Sequence, residues 1–165
     1  MKPITFIYSH DNIFQGVKQE ASQLAIRKAD KDGNSLFEQM VFDEAYLIKF
    51  RELFFDAQAE VTPALSAYMK DIAVEPEYFE PQDFTQNRDY TFSLLMPDDF
   101  NFHLVRPIDI RLKQFLISYI MYRWLETKMP NDAATFFDRA GKTLADVRSS
   151  LNVRVGRIQR WAGYW

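Results

Sequence analysis

The sequence contains no cysteine, and this absence excludes several classes of protein at once. Without thiols there is no disulfide framework of the kind that small secreted domains need, no thiolate metal site and no cysteine nucleophile. Histidine is also scarce, because the chain has only His10 and His103. Neither has a second histidine or a carboxylate at the spacing of a helical metal-binding motif. We therefore expect loop or capping roles for both.

Glycine is sparse as well, and its five residues are scattered, so no phosphate-binding loop is present. The segment Asp30-x-Asp32-Gly33-Asn34 faintly resembles a calcium loop, but its glycine comes too early and Val41 stands where the loop needs glutamate. No serine lies in a nucleophile elbow. The acid pairs Asp43-Glu44 and Asp98-Asp99 suit helix capping and turns better than acid–base chemistry. The sequence predicts no enzyme, no metal and no cofactor.

Long apolar runs are missing too. The most apolar stretch, residues 115–125, is interrupted by Arg123 and is well short of the roughly 20 residues that a membrane span needs. The apolar run at residues 3–8 is too short for a signal peptide, and no small-residue cleavage site follows it. We therefore expect a soluble protein in the cytoplasm, with no membrane partner.

What the sequence does contain is apolar and aromatic material for one core. Apolar residues make up 47% of the 165 residues, and there are fifteen phenylalanines and eight tyrosines. This composition excludes global disorder and fits one domain. The repeating apolar faces end near Leu151, so we predict a single helical domain over residues 1–151 and a basic, aromatic tail over residues 152–165.

The pattern of apolar residues predicts a mainly α fold: a bundle of four or five helices with a minor β element. A first helix is expected from a cap at Asp11 or Asn12 to about Ala29, ended near Gly33. A short turn should follow at residues 35–40. Asp43 should cap a longer helix that reaches residues 68–69, with a kink or break near residues 61–62 because Pro63 follows.

The second half is expected to hold one strand and two helices. Residues 72–88 lack periodicity and predict a loop, and residues 90–96 alternate like a strand, whose partner is either residues 4–8 or the acidic segment near residues 78–79. A helix from Pro107 to about Lys128 is apolar on most sides and should be the buried centre. Pro130 should break it, Asn131 or Asp132 should cap the next, antiparallel helix, and Gly141 should permit close packing. The central helix should bury Phe115, Leu116, Tyr119, Ile120 and Trp124.

Charge is unevenly distributed along the chain. The net charge is −3, but residues 1–70 carry −2, residues 71–101 carry −7 and residues 102–165 carry +6. The acidic middle would repel nucleic acid, whereas the basic C-terminal third could attract it. Opposite patches on one molecule also suit head-to-tail self-association.

The C-terminal tail is the candidate interaction site. Chain ends usually fray and stay polar, so a tail with several large aromatic residues is expected to dock on its own core or on a partner. Arginine and aromatic side chains together are typical of protein–protein hot spots, and they also hold phosphates and stack on bases. The candidate residues are Arg154, Arg157, Arg160, Trp161, Tyr164 and Trp165.

The order of landmarks resembles a group of small conserved proteins encoded among virion-structure genes in prophages of Bacteroides-type bacteria. The motifs that carry the resemblance are Asn12-Ile13-Phe14-x-x-Val17-Lys18, Asp32-Gly33-Asn34-Ser35-Leu36-Phe37, Leu94-x-Met96-Pro97, Tyr119-x-x-x-Arg123-Trp124-Leu125 and Leu144-x-x-Val147-Arg148-x-x-Leu151-x-x-Arg154. They span most of the chain. The end of the tail, Arg160-Trp161-x-x-Tyr164-Trp165, is richer in aromatic residues than that group's pattern.

The resemblance implies a non-catalytic phage structural or assembly protein, similar in size and helical layout to head–tail connector and neck components that assemble as rings. Its expected partners are other virion or assembly proteins, or further copies of itself, and it would pass from the cytoplasm into the virion. The alternative is a small nucleic-acid-binding or regulatory protein that uses the basic C-terminal third.

Overall fold

Four α-helices and a two-stranded antiparallel sheet form the part of the chain that the computed structural model describes, residues 1–28, 40–69 and 83–156. The fold is mainly helical with a minor β element, as predicted. In chain order the elements are β1 (Lys2–Tyr8), α1 (His10–Arg27), α2 (Leu47–Leu65), β2 (Tyr90–Met96), α3 (Val105–Leu125) and α4 (Pro130–Leu151).

Helix α3 is the centre of the bundle. It packs against α1, α2 and α4, because apolar residues occur on most of its sides. Of the five residues predicted to lie in the core, Phe115, Leu116, Ile120 and Trp124 are buried, and Tyr119 is partly buried. The prediction of a buried central helix is confirmed.

Helix α4 runs antiparallel to α3 after a connection over residues 126–129. Arg111 donates to the Ser150 hydroxyl at 2.8 Å, and the rings of Tyr122 and Phe137 are 5.0 Å apart, so the start of one helix lies beside the end of the other. Pro130 is the first residue of α4 and does not lie between the two helices. The N-cap of α4 is Met129, so the predicted caps at positions 131 and 132 are wrong. A proline suits a first helical position because the N–H it lacks would have no partner there.

The sheet pairs β2 with β1, so the N-terminal strand and not the acidic segment is the partner. The register runs from Lys2 opposite Met96 to Tyr8 opposite Tyr90. One face is buried on the bundle through Phe6, Tyr8, Tyr90, Leu94 and Met96. Strand residues alternate between faces, so the other face, with Thr5 and Ile7, points away from the core.

Helix α1 starts one residue before the predicted caps Asp11 and Asn12. Ser9 occupies the N-cap position but makes no side-chain cap bond. The carboxylate of Asp89 instead accepts a hydrogen bond from the His10 backbone N–H at 2.8 Å. A residue distant in the chain therefore satisfies one of the free donors at the start of α1.

Asp43 is a cap, as predicted, but it caps a 3₁₀ turn before helix α2, and α2 does not break at Pro63. The Asp43 carboxylate accepts from the Ala45 N–H at 3.0 Å and starts a 3₁₀ turn, Glu44–Tyr46, that leads into α2. The helix then continues through Pro63 to Leu65. Ala59, whose carbonyl loses its helical partner to the proline, is exposed, so water can satisfy it.

The glycine at which two helices approach closely is Gly16 of α1, and the prediction for Gly141 of α4 is wrong. A Cβ atom added at Gly141 would meet nothing within 4 Å, whereas one added at Gly16 would be 2.5 Å from the Ile117 side chain of α3. The predicted terminator Gly33, the turn over residues 35–39 and most of the predicted loop lie outside the described residues. Residues 83–89 are described and are neither helix nor strand, as the loop prediction requires.

Candidate interaction surface

A groove separates the outer edge of β1 from the beginning of α3. Its volume is about 640 Å³. The 3₁₀ turn Phe102–Leu104 leads into α3 at this place and is capped by the Asn101 side chain, which accepts from the His103 N–H at 3.2 Å. The lining residues are Thr5, Phe6, Ile7, Phe102, His103, Val105, Arg106 and Asp109.

The groove has an apolar rim. Ile7 is 66% exposed because the alternation of β1 places it opposite the buried Phe6 and Tyr8. Phe102 is 37% exposed, packs edge-on against Phe100 at 5.3 Å, and has the Lys2 ammonium 5.3 Å from its ring centroid. Exposed aliphatic and aromatic side chains at a concave surface are typical of interaction sites.

The segment that follows α4 is bonded to the loop just before this groove. The Val155 N–H donates to the Asp99 carbonyl at 2.7 Å, and the Asn101 N–H donates to the Val153 carbonyl at 3.5 Å. Phe100 and Arg154 form an antiparallel bridge between these bonds. The first residues of the predicted tail therefore extend alongside the loop that leads into Phe102.

Arg154 is the one predicted interaction residue within the described part of the chain. Its guanidinium donates to the Leu151 carbonyl at 2.8 Å and lies 3.5 Å from the Asp99 carboxylate. A cation at the carbonyl end of a helix is favourable, so Arg154 helps to end α4 and attach the following segment. The other predicted residues lie outside the described residues: Arg157, Arg160, Trp161, Tyr164 and Trp165.

The loop beside this segment is acidic and exposed. Asp98 forms an ion pair of 2.9 Å with the amino group of Met1. The hydrogen bond from this amino group, and its positive charge, lower the pKa of the Asp98 carboxyl group. Asp99 pairs with Arg154 and remains largely exposed. Acidic groups therefore lie beside residues 153–155, close to the end of the described part of the chain.

Sequence reasoning did not identify Ile7 and Phe102 as site residues. The alternation in residues 4–8 could have placed Ile7 on the face opposite Phe6, but the partner strand and the packed face were unknown. Nothing local distinguishes Phe102 from the other phenylalanines. Its exposure follows from the 3₁₀ turn and from the position of β1.

The histidines and acid pairs have the following local roles. His103 lies in the capped 3₁₀ turn, which is close to the loop or capping role expected for it. His10, in contrast, is buried as the first residue of α1. Asp43 is a cap, as predicted, and Asp98 and Asp99 are loop residues. Among the described residues, no three histidine or acidic side chains form a group that could hold a metal ion.

Among the described residues of the C-terminal third, Arg123 and Arg139 lie beside acidic side chains, as Arg154 does. Arg123 lies 3.7 Å from Asp56 and 3.4 Å from Glu126, and Arg139 lies 3.7 Å from Glu20. These two arginines lie on different helices, α3 and α4. In residues 1–28, 40–69 and 83–156, no helix has the length and apolar character to cross a membrane.

Comparison with protein-family models, with curated proteins and with solved structures found no match to this chain.

Proposed function

We propose that this chain is a non-catalytic structural or assembly protein that self-associates through the groove between β1 and α3, in the manner that the resemblance to phage connector components implies. The observation that carries the proposal is the position of the groove. Its exposed apolar rim, Ile7 and Phe102, adjoins the loop to which the segment leading into the aromatic tail is bonded.

The proposed occupant of the groove is the segment 157–165 of a second copy. This segment supplies three large aromatic residues for an apolar groove. It also supplies Arg157 and Arg160, whose charge is opposite to that of Asp98, Asp99 and Asp109. Nine residues reach about 30 Å when extended, which is enough to pass from one molecule to a neighbour.

Such a contact joins two different surfaces and is therefore head-to-tail. Repeated head-to-tail contacts close into a ring when the rotation between copies allows it, and otherwise form an open chain. A ring is the assembly that the connector resemblance implies. The dispersed, acid-paired arginines Arg123 and Arg139 favour this function over the nucleic-acid alternative, which needs a continuous basic face.

The test is the native mass of the full chain by light scattering over a wide range of protein concentrations. We expect a species larger than a monomer, and we expect Ile7→Glu to shift it to monomer because a charge is placed on the groove rim. Ile26→Glu is the matched control, since Ile26 is 74% exposed on α1 and does not line the groove.

A full chain that stays monomeric at every concentration would contradict self-association. Equal loss of assembly in both glutamate variants would contradict the groove as the contact. Retention of the full chain on duplex DNA near physiological salt, lost steeply as salt rises, would favour the alternative function.

A further inference from the structure

The groove between β1 and α3 runs along the edge of β1 and not along one of its faces. Three consecutive residues of the strand line it, Thr5, Phe6 and Ile7. Successive residues of a strand point to opposite faces of the sheet, so a cavity on one face would meet only every second residue. The two faces are distinct here, because Phe6 is 4% exposed and belongs to the core, whereas Ile7 is 66% exposed. A cavity that contacts all three residues therefore lies beside the main chain of the strand.

This edge of β1 is unpaired in the part of the chain that the structure describes. The sheet has two strands there, so β1 pairs with β2 on one side only. In an antiparallel pair every second residue turns its N–H and C=O groups toward the partner strand, and the residues between turn theirs away. The groups of β1 that turn away from β2 form a row of free main-chain donors and acceptors along the groove. Pro3 has no N–H to contribute, which is tolerated on an edge strand.

Contacts at both ends of β1 fix the strand against the opposite wall of the groove. At one end the Lys2 ammonium lies 5.3 Å from the ring centroid of Phe102, in the turn before α3. At the other end the Tyr8 hydroxyl donates to the Asp109 carbonyl of α3 at 3.4 Å. Residues 5–7 lie between these two contacts. The groove therefore has a strand edge as one wall and the beginning of a helix as the other.

We propose that the segment 157–165 of a second copy binds in this groove as an added β-strand on the free edge of β1, so that the sheet of one molecule continues into the next. The binding mode rests on the function proposed above, which names this segment as the occupant of the groove. In strand addition the main-chain hydrogen bonds supply affinity, and pockets for alternate side chains supply specificity. A strand edge beside an apolar groove offers both.

The chain enters this segment in the conformation that strand addition requires. Residues 153–155 are bonded to residues 99–101, and Arg154 forms an antiparallel bridge with Phe100. The main chain is therefore already extended and β-paired directly after α4, a few residues before the segment begins.

The sequence of the segment also suits a strand. Ile158, Trp161, Tyr164 and Trp165 belong to the β-branched and aromatic types that are enriched in strands. The period of two places both tryptophans on one face of a strand, and Ile158 and Tyr164 on the other. One of these apolar pairs would then lie on the side of the exposed Ile7, and the other on the side of the bundle.

The test uses the full chain and three fluorescently labelled peptides with the sequence of residues 157–165. The first peptide is unmodified. The second carries N-methyl groups on the amides of residues 158, 160, 162 and 164, and the third carries them on the amides of residues 159, 161, 163 and 165. An N-methyl group removes the N–H donor and leaves the side chain unchanged. In an added strand the amides of one set face β1 and those of the other set face away from it.

Fluorescence anisotropy should show saturable binding of the unmodified peptide to the full chain. One methylated peptide should bind with nearly the same affinity, and the other at least about tenfold more weakly, because it loses several main-chain hydrogen bonds. The two methylated peptides are matched controls for each other, since both carry the same number of methyl groups. The tail of the full chain competes equally with all three peptides, so it does not change the ratio of their affinities.

Equal binding of the two methylated peptides, whether strong or weak, would overturn strand addition, and so would a failure of the unmodified peptide to bind. If the full chain nevertheless assembled and Ile7→Glu dissociated it, self-association through the groove would stand without the added strand. A full chain that stayed monomeric at every concentration would overturn the proposed function and strand addition together.

Discussion

Leu116 lies in the middle of α3, 1% exposed, among the side chains of the single core cluster. Leu116→Ala should lower the free energy of unfolding by about 2–5 kcal/mol, because a cavity remains at a position surrounded by helices. Urea unfolding measures this difference. Ile110→Ala on the same helix is the control and should cost less than about 1 kcal/mol, since Ile110 is half exposed. A loss below about 0.5 kcal/mol for Leu116→Ala would contradict the central position of α3.

Tyr8 and Tyr90, which face each other across the sheet, should make the stability of the folded protein depend on pH. Burial raises the pKa of Tyr8 well above its usual range, and the charge of Asp109 adds to this; burial also raises the pKa of Tyr90. In the unfolded chain both titrate near pH 10. Above that pH the unfolded state loses protons that the folded state keeps, so stability is full below about pH 10 and falls as pH rises further.

The expected slope is up to about 1.4 kcal/mol per pH unit for each tyrosine. Tyr8→Phe should reduce this alkaline slope, because phenylalanine has no hydroxyl group to titrate. Denaturant unfolding of both proteins between pH 9 and 11, a range set around the free tyrosine value, measures it. Parallel curves for the two proteins would show that Tyr8 is not the group responsible.

At the scale of the elements, the start of α1 depends on a residue in the segment before β2. Asp89→Ala should destabilise the protein by about 0.5–2 kcal/mol, because the carboxylate that accepts from the His10 N–H is lost. Ser9→Ala is the matched control. Ser9 holds the N-cap position without a side-chain bond, so its replacement should change stability by less than about 0.5 kcal/mol. Thermal melting of the two variants compares them, and a larger loss for Ser9→Ala would contradict capping by Asp89.

The two glycines that lie within helices differ in whether a neighbouring helix packs against them. Both Gly16 and Gly141 lie inside continuous helices, and both could have permitted close approach. The Ile117 side chain occupies the space beside Gly16, and nothing occupies the space beside Gly141. The sequence around each glycine does not contain this difference, since the neighbour of Gly16 belongs to α3.

At the scale of the whole molecule, two truncations distinguish two parts of the tail. One part, residues 152–156, includes the residues bonded to the loop, and the other part is residues 157–165. Removal of residues 157–165 leaves in place the bonds of Val153 and Val155 to the loop and the bond of Arg154 to the Leu151 carbonyl, so the free energy of unfolding of the monomer should change little. Removal of residues 152–165 deletes these three bonds and should cost about 1.5–4.5 kcal/mol, at roughly 0.5–1.5 kcal/mol for each. Denaturant unfolding at low protein concentration measures both.

The outcome separates two roles of the tail. If the shorter truncation alone destabilised the monomer strongly, residues 157–165 would complete the molecule's own core and not serve assembly. If neither truncation changed stability, the bonds along residues 153–155 would be of no consequence for the fold. The predicted boundary after Leu151 therefore remains a prediction that these two proteins test.

The sequence by itself determined the class of fold and the position of its strongest elements. The centre of α3 and the exact range of β2 follow from the period of their apolar residues, which is a local property. The cap at Asp43 is also local, since its acceptor and donor are two residues apart. The candidate site was partly predictable: its basic, aromatic composition marks the tail as a candidate, whereas the groove between β1 and α3 has no signature in the sequence.

The tertiary structure decided what depends on residues far apart in the chain. It chose β1 as the partner of β2, supplied Asp89 as the cap of α1, and placed Arg154 against Asp99. It also formed the groove that Ile7 and Phe102 line, and among the described residues it left Nε2 of buried His10 without a hydrogen-bond partner. Local patterns specify a helix or a strand through the spacing of side chains, but they do not specify which distant surface each face meets, because that is determined by the packing of the whole core.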